Sequence, residues 1–184
     1  MASKATVYKA ELQISDLDRH YYATHALTLA QHPSETDERV MLRLAAFALF
    51  AHERLQFGRG ISSDDEPDLW RHSLDGQIEH WIDLGQPDDS RVRKACGRAQ
   101  QVAAIAYGGR AFGPWWEKSA SPLARCRNLA VLEFPAGSGE SLLPLLARTM
   151  RLQCLVQEGE LQVIGDADSV TLVPRWHQGS PQGV

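Results

Sequence analysis

PDLWRHSLDGQIEHWIDL, from Pro67 to Leu84, is the stretch on which the fold turns. Two alternating segments, LWRHSL and QIEHWIDL, flank Asp75-Gly76. An Asp-Gly pair between such segments is a strong two-residue hairpin signal, because both central positions of a type I′ turn need positive φ. The register then follows by counting: Leu74 faces Gln77, His72 faces Glu79, Trp70 faces Trp81, and Asp68 falls opposite Asp83. Two carboxylates so placed have Cβ atoms about 5 Å apart and repel unless something neutralises them. A divalent cation is the simplest neutraliser. Mg²⁺ takes hard oxygen ligands, commonly one or two carboxylates with water and phosphate completing the shell. Asp68 and Asp83 therefore read as a minimal Mg²⁺ (or Mn²⁺) clamp for phosphodiester chemistry.

Downstream, such a site wants a lysine two residues after the second acid, to stabilise charge developing on phosphate. That position is Gly85. Gln86-Pro87 breaks the strand, and Asp88, Asp89 or Ser90 offers a cap for a short helix. A helix starting near Asp89 carries Lys94 only about 7 Å along its axis, which makes Lys94 the candidate substitute. Arg91, Lys94 and Arg98 share one face of that helix and are candidate nucleic-acid contacts.

Simpler readings stay open. Asp68 can cap a short helix beginning at Pro67. Asp83 can be a strand-end acid paired with Arg91 or Lys94, and the basic face can be an ordinary solvated one. Gln86 either adds a ligand or shapes the turn. Glu79 is expected to partner His72.

Upstream, Val40–Ala51 is nearly all apolar and predicts a buried helix, with Ser34 and Asp37 forming a capping-box-like start. Glu35, Asp37 and Glu38 suit the positive end of that helix's dipole. Lys4–Ile14 and Ala23–His32 alternate around SDLDRH and predict an N-terminal hairpin. Toward the C-terminus, VAAIAYGG and NLAVLEFP read as strands and SGESLLPLLARTM as a helix that Pro144 starts or kinks. The tail reads as strand, Glu-Gly turn, strand and a further strand.

The chain has 184 residues, 43% hydrophobic and 23% charged, which predicts one compact α/β (α+β) domain over 1–184, a mixed sheet with flanking helices. The net charge of −4 counts against coating nucleic acid by bulk electrostatics but leaves room for a local basic groove. Cys96, Cys126 and Cys154 lack metal-ligand spacing. No histidine shows HxH or HExxH spacing, and no glycine-rich phosphate loop or serine nucleophile elbow is present. MASKATVYKAELQI lacks a signal-peptide pattern and no segment is apolar enough for a membrane span, so a cytoplasmic protein is expected.

PDLW (Pro67–Trp70), WIDLGQPD (Trp81–Asp88), KACGRA (Lys94–Ala99) and HPSET (His32–Thr36) resemble signature segments of the YaeQ family of small bacterial proteins. The likeness runs from KATVYKAEL to RTMRLQ. That family is similar to a compact variant of the PD-(D/E)XK nuclease superfamily. The resemblance implies a restriction-endonuclease-like αβββαβ core and a Mg²⁺-dependent nuclease site. Asp68 would be its first acid, Asp83 its second, and Glu38 or Glu35 an auxiliary acid. With Gly85 at the lysine position, the implied alternatives are rescue by Lys94 or an inactive protein that binds nucleic acid or a transcription-related partner.

Overall fold

The computed structural model describes residues 4–181. In chain order the elements are β1 (Thr6–Asp16), β2 (Tyr21–Gln31), α1 (Asp37–Leu49), β3 (Leu55–Phe57), β4 (Leu69–His72), β5 (Ile78–Leu84), α2 (Asp89–Arg98) and β6 (Ala99–Ala106). They continue with α3 (Phe112–Leu123), β7 (Leu129–Glu133), α4 (Ser138–Leu142), β8 (Thr149–Gln157), β9 (Glu160–Ile164), β10 (Ser169–Leu172) and β11 (Arg175–Gln178). Two compact units emerge. The first joins the chain up to Glu53 with Ser138–Val173, and the second joins Arg54–Gly137 with the chain from Pro174 on. The class is mixed α+β as expected, with two mixed sheets where the sequence suggested one.

In the first unit the strand order is β10-β9-β8-β1-β2. Strict alternation builds it: Tyr8, Ala10, Leu12 and Ile14 of β1 are buried while Lys9, Glu11 and Gln13 are exposed. Met150, Leu152, Cys154 and Val156 repeat the pattern on β8. Each fully buried large aliphatic contributes roughly 1.5–3 kcal/mol, so a one-residue slip that turned these rows outward is strongly disfavoured. α1 lies in the same unit with Val40, Met41, Leu44, Phe47 and Ala48 buried. Its cap is Thr36, whose side chain accepts from the Arg39 amide, and not Ser34. The C-terminal helix is shorter than expected: α4 stops at Leu142, one short turn carries Pro144, and Thr149 already begins β8.

The two Gly-containing turns exchange roles. Glu158-Gly159 is the true two-residue turn, with φ of +52° and +77°, closed by the pair Gln157–Glu160. The Asp18 carboxylate fixes it by accepting from both turn amides at 2.8 Å. At Asp75-Gly76 only Gly76 has positive φ, and the loop is closed one residue further out, where Ser73 N donates to Gln77 O. His72 consequently pairs with Ile78 and not with Glu79. A bulge at Glu79 then absorbs the offset, so that Arg71 meets His80 and Trp70 meets Trp81 as counted from the sequence. Glu79 turns to Arg54 and Arg71, at 3.0 and 2.8 Å, in place of His72.

The second unit has the order β11-β7-β6-β5-β4-β3. β3, β4 and β5 form an antiparallel meander, and β5, β6 and β7 are parallel. The parallel strands read as apolar runs because successive residues, on both faces, are buried. On one face Trp81, Val102, Ala104 and Val131 pack with Val92 and Ala95 of α2 and with Phe112 and Leu123 of α3.

Candidate functional site

Asp68 immediately precedes β4 and Asp83 lies near the end of β5. The last paired residues are Leu69 and Ile82, so one further step of the register sets the two acids opposite each other, and the helix-cap reading of Asp68 does not apply. Both are deeply buried, at 3% and 5% exposure. Burying a carboxylate costs several kcal/mol unless it is paired and hydrogen-bonded, so the partners decide what the pair can do.

Asp68 Oδ2 accepts the Leu84 amide at 2.7 Å. Two glycines make room for it. A β-carbon on Gly60, whose φ is +55°, would sit 2.5 Å from Asp68 Oδ1, and one on Gly58 would sit 2.2 Å from the Pro67 carbonyl oxygen. Gly58 N and Gly60 N donate to the backbone oxygens of Asp68 and Pro67. Gly58-Arg59-Gly60 is thus a cradle for the Pro67-Asp68 segment, a role that sequence reading missed although the paired glycines were visible.

Asp83 is closed by a cation from its own chain. Arg91 donates from Nε to Asp83 Oδ2 and from Nη2 to Oδ1, both at 2.9 Å. Trp81 Nε1 adds a third donor to Oδ2 at 3.0 Å. The rest of the Arg91 guanidinium donates to the Asp64 and Glu66 carbonyls, at 2.8 and 3.0 Å. The hydrogen bonds to Asp83 push the Arg91 pKa up against partial burial, and the charges of Asp83, Asp68 and Asp64 add to the effect. Such a bidentate, charge-assisted arrangement is the strong form of an ion pair. Its local cause is the cap of α2: Asp88 Oδ1 accepts the Arg91 amide at 2.8 Å, which starts the helix where Arg91 can reach back to β5.

The remaining predicted residues scatter. Lys94 is 59% exposed and pairs with exposed Asp65 at 3.1 Å. Arg98 holds its guanidinium 5.2 Å from the centre of the Trp81 ring, with that of Arg91 at 5.8 Å, so two of the three expected phosphate ligands stack on an indole. Gln86 Nε2 donates to the Tyr107 carbonyl and so ties the end of β5 to the end of β6, the turn-shaping alternative. Glu38 is in the first unit, packed so close to Gly139 that a β-carbon there would lie 2.7 Å from its own. Glu35, the other auxiliary acid, is bound by Arg39 at 2.9 Å and by Arg43 at 2.8 Å. Both belong to the first unit and the acid pair to the second, so no geometry within either unit joins them.

For Mg²⁺ or Mn²⁺ the donor set is a poor fit: both Asp83 oxygens already face a guanidinium, and one Asp68 oxygen faces an amide. Among the described residues no three His, Cys, Asp or Glu side chains cluster as metal ligands would. Among them, too, no helix is long and apolar enough to cross a membrane.

Residues 1–174 match the family described as YaeQ protein, and the chain belongs to the YaeQ family. A relative from Salmonella typhi, named uncharacterized protein YaeQ, is 44% identical over 98% of this chain and 100% of its own length. One of the same name from Escherichia coli K12 is 41% identical over the same shares. The crystal structure of YaeQ protein from Xanthomonas axonopodis pv. citri superposes with a TM-score of 0.93 at 58% identity, covering 96% of this chain and 100% of that one. That of YaeQ protein from Pseudomonas syringae gives 0.89 at 35% identity, covering 96% and 98%.

Proposed function

We propose that this protein is a nuclease-like fold that has exchanged its metal for an arginine, and that it binds nucleic acid without cleaving it. The bidentate bridge from Arg91 to Asp83 carries this reading, because it puts a fixed cation where a catalytic metal would have to sit. The nuclease-like part is supported by the order of elements along the chain, α1, β3, β4, β5, α2, β6, which is the αβββαβ order the resemblance implies. Asp68 immediately precedes the second strand of that order and Asp83 lies in the third, so the two acids named by the resemblance stand at neighbouring strands. On α2 the cations within reach of phosphate are exposed Arg93, and Lys94 once it exchanges exposed Asp65 for the backbone of the nucleic acid. A transcription-related protein partner, expected as an alternative to nucleic acid, would use the same surface.

The competing reading is a Mg²⁺- or Mn²⁺-dependent nuclease with Asp68 and Asp83 as ligands and Lys94 as the displaced lysine. The facing strand-end positions of the two acids favour it, and it requires Arg91 to release Asp83.

Calorimetric titration of the parent, Asp83→Asn and Arg91→Ala with Mg²⁺ and Mn²⁺ separates the two. Cleavage assays on single-stranded DNA, duplex DNA and RNA, with fluorescence anisotropy on the same oligonucleotides, complete the test. The expected outcome is no metal uptake by the parent, no cleavage, and salt-sensitive oligonucleotide binding that weakens when Arg93 and Lys94 are replaced. Metal uptake by the parent that Asp83→Asn abolishes, together with cleavage, would establish the enzyme instead. Unchanged anisotropy with every oligonucleotide would leave the protein partner.

A further inference from the structure

We infer that β2 is an assembly edge, along which two copies of this chain pair antiparallel about a two-fold axis at Ala26 and continue the five-stranded sheet from one subunit into the other. A sheet edge presents unpaired amides and carbonyls, and proteins that stay apart blunt such edges with short strands, bulges, charge or proline. Three of the four edges here are blunted in that way. β3 has three residues, β10 has four, and β11 has four with a bulge between Trp176 and Gln178. β2 has eleven, pairs with β1 without a register shift, and contains no Lys, Arg, Asp, Glu or Pro from Tyr21 to Gln31.

The hydrogen-bonding parity of the sheet tells which backbone groups the edge offers. Lys9 N donates to Arg148 O and Leu17 N to Val156 O, so the odd residues of β1 serve β8 and the even ones serve β2. Even residues of β1 face odd residues of β2, as in Tyr8–Leu29 and Ile14–Ala23. The amides and carbonyls of Tyr22, Thr24, Ala26, Thr28 and Ala30 therefore point away from the sheet. The bond from Arg43 Nη2 to Ala30 O, made from outside the β1 ladder, agrees with that parity. All five of these side chains are exposed, and none is charged.

The edge is complementary to itself. Pairing about Ala26 sets Thr24 opposite the partner's Thr28 and Tyr22 opposite the partner's Ala30, even residue against even residue, which is the hydrogen-bonded alignment, with the Ala30 carbonyl at each end of the ladder shared with Arg43. A neutral strand meets its copy without like-charge repulsion, and facing threonines are favourable cross-strand pairs. The apolar surface agrees. Val7 is 49% exposed and Tyr22 62%, and Val7 pairs with Ala30 on the same face of the sheet. In the dimer Tyr22 lies across the small side chain of the partner's Ala30 toward the partner's Val7, so that each copy covers the apolar side chains the other leaves open. Two-fold pairing of this kind is also the commonest form of self-assembly.

Sedimentation equilibrium across concentration tests the inference. Ala26→Pro removes only an outward-facing amide, which an edge strand tolerates, and Ala26→Lys sets two ammonium groups face to face at the axis. The parent should associate to a dimer, and both variants should weaken association by an order of magnitude or more while keeping the parent's far-UV circular dichroism. Directly opposed hydrogen-bonded residues have Cα atoms about 5.5 Å apart, within disulfide range, so Ala26→Cys should oxidise to a covalent dimer where the parent does not. A parent that stays monomeric into the millimolar range would overturn the inference and leave the edge to an extended segment of another protein. A dimer that survives in folded Ala26→Pro and Ala26→Lys, or an Ala26→Cys variant that never cross-links, would overturn it as well.

Discussion

Two buried carboxylates in this protein are both closed by arginine, and they differ in how far the chain travels to close them. Glu35, in the first unit, takes Arg39 and Arg43 from the next two turns of chain, both among the buried residues of α1. Asp83, in the second unit, takes Arg91 across the Gly-Gln-Pro break, on a different element, with Trp81 and two backbone carbonyls completing the arrangement. The first network is local in sequence and shielded. The second is assembled by a strand, a turn and a helix cap, and its arginine remains 23% exposed. Burial without pairing is costly in either place, and the cost scales with how completely water is excluded.

Glu35→Gln probes the more shielded network and should have the largest effect. It takes the carboxylate charge they share in this network from two guanidinium groups of 10% and 5% exposure, while Arg43 keeps the Ala30 carbonyl, and removal of one partner from a buried pair typically costs about 3–5 kcal/mol. Urea unfolding checks it, and a loss under about 1 kcal/mol would mean that water reaches the network.

Asp83→Asn should cost less, about 2 kcal/mol, in the range for hydrogen bonds to charged groups, because Arg91 keeps its two carbonyl partners and some solvent. If it costs as much as Glu35→Gln, the distinction between the two networks fails.

Asp88→Ala should cost about 1 kcal/mol as a lost helix cap. The Arg91 amide, then the Ser90 hydroxyl, hold the Asp88 carboxyl below the usual carboxylate range. A depressed folded pKa means that this stabilisation is complete above the unfolded value near 3.9 and is lost as pH falls through the folded value. The gap between parent and Asp88→Ala in thermal unfolding should therefore be constant near neutrality and close in strong acid.

Lys94→Ala, at an exposed pair, should change stability by no more than about 0.5 kcal/mol. A larger loss would bring Lys94 into the Arg91 arrangement after all.

Much of the fold was legible because apolar period and turn chemistry are local. The N-terminal hairpin, α1, α2, β6 and β7 all lie where alternation, apolar runs and cap residues place them, and of the three caps open for α2, Asp88, Asp89 and Ser90, the first is the one used. Asp75-Gly76 misled because an Asp-Gly pair also suits a longer loop, and the bulge at Glu79 that restores the register has no local signature. The site was half legible. The two acids, and Arg91 as a candidate partner of Asp83, were visible in the sequence. That Arg91 wins Asp83, while Lys94 goes to Asp65 and Arg98 to Trp81, was not.

By itself, then, the sequence determined the mixed α+β class, the alternating rows that choose each strand's buried face, and the acids at positions 68 and 83. Those follow from side-chain period and chain geometry, which act over a few residues. Tertiary structure alone decided that there are two sheets, that β2 is left as a long open edge, and which cation neutralises Asp83. These depend on contacts between residues far apart in the chain, where the free energy of burying a charge is settled by whichever partner the fold brings near.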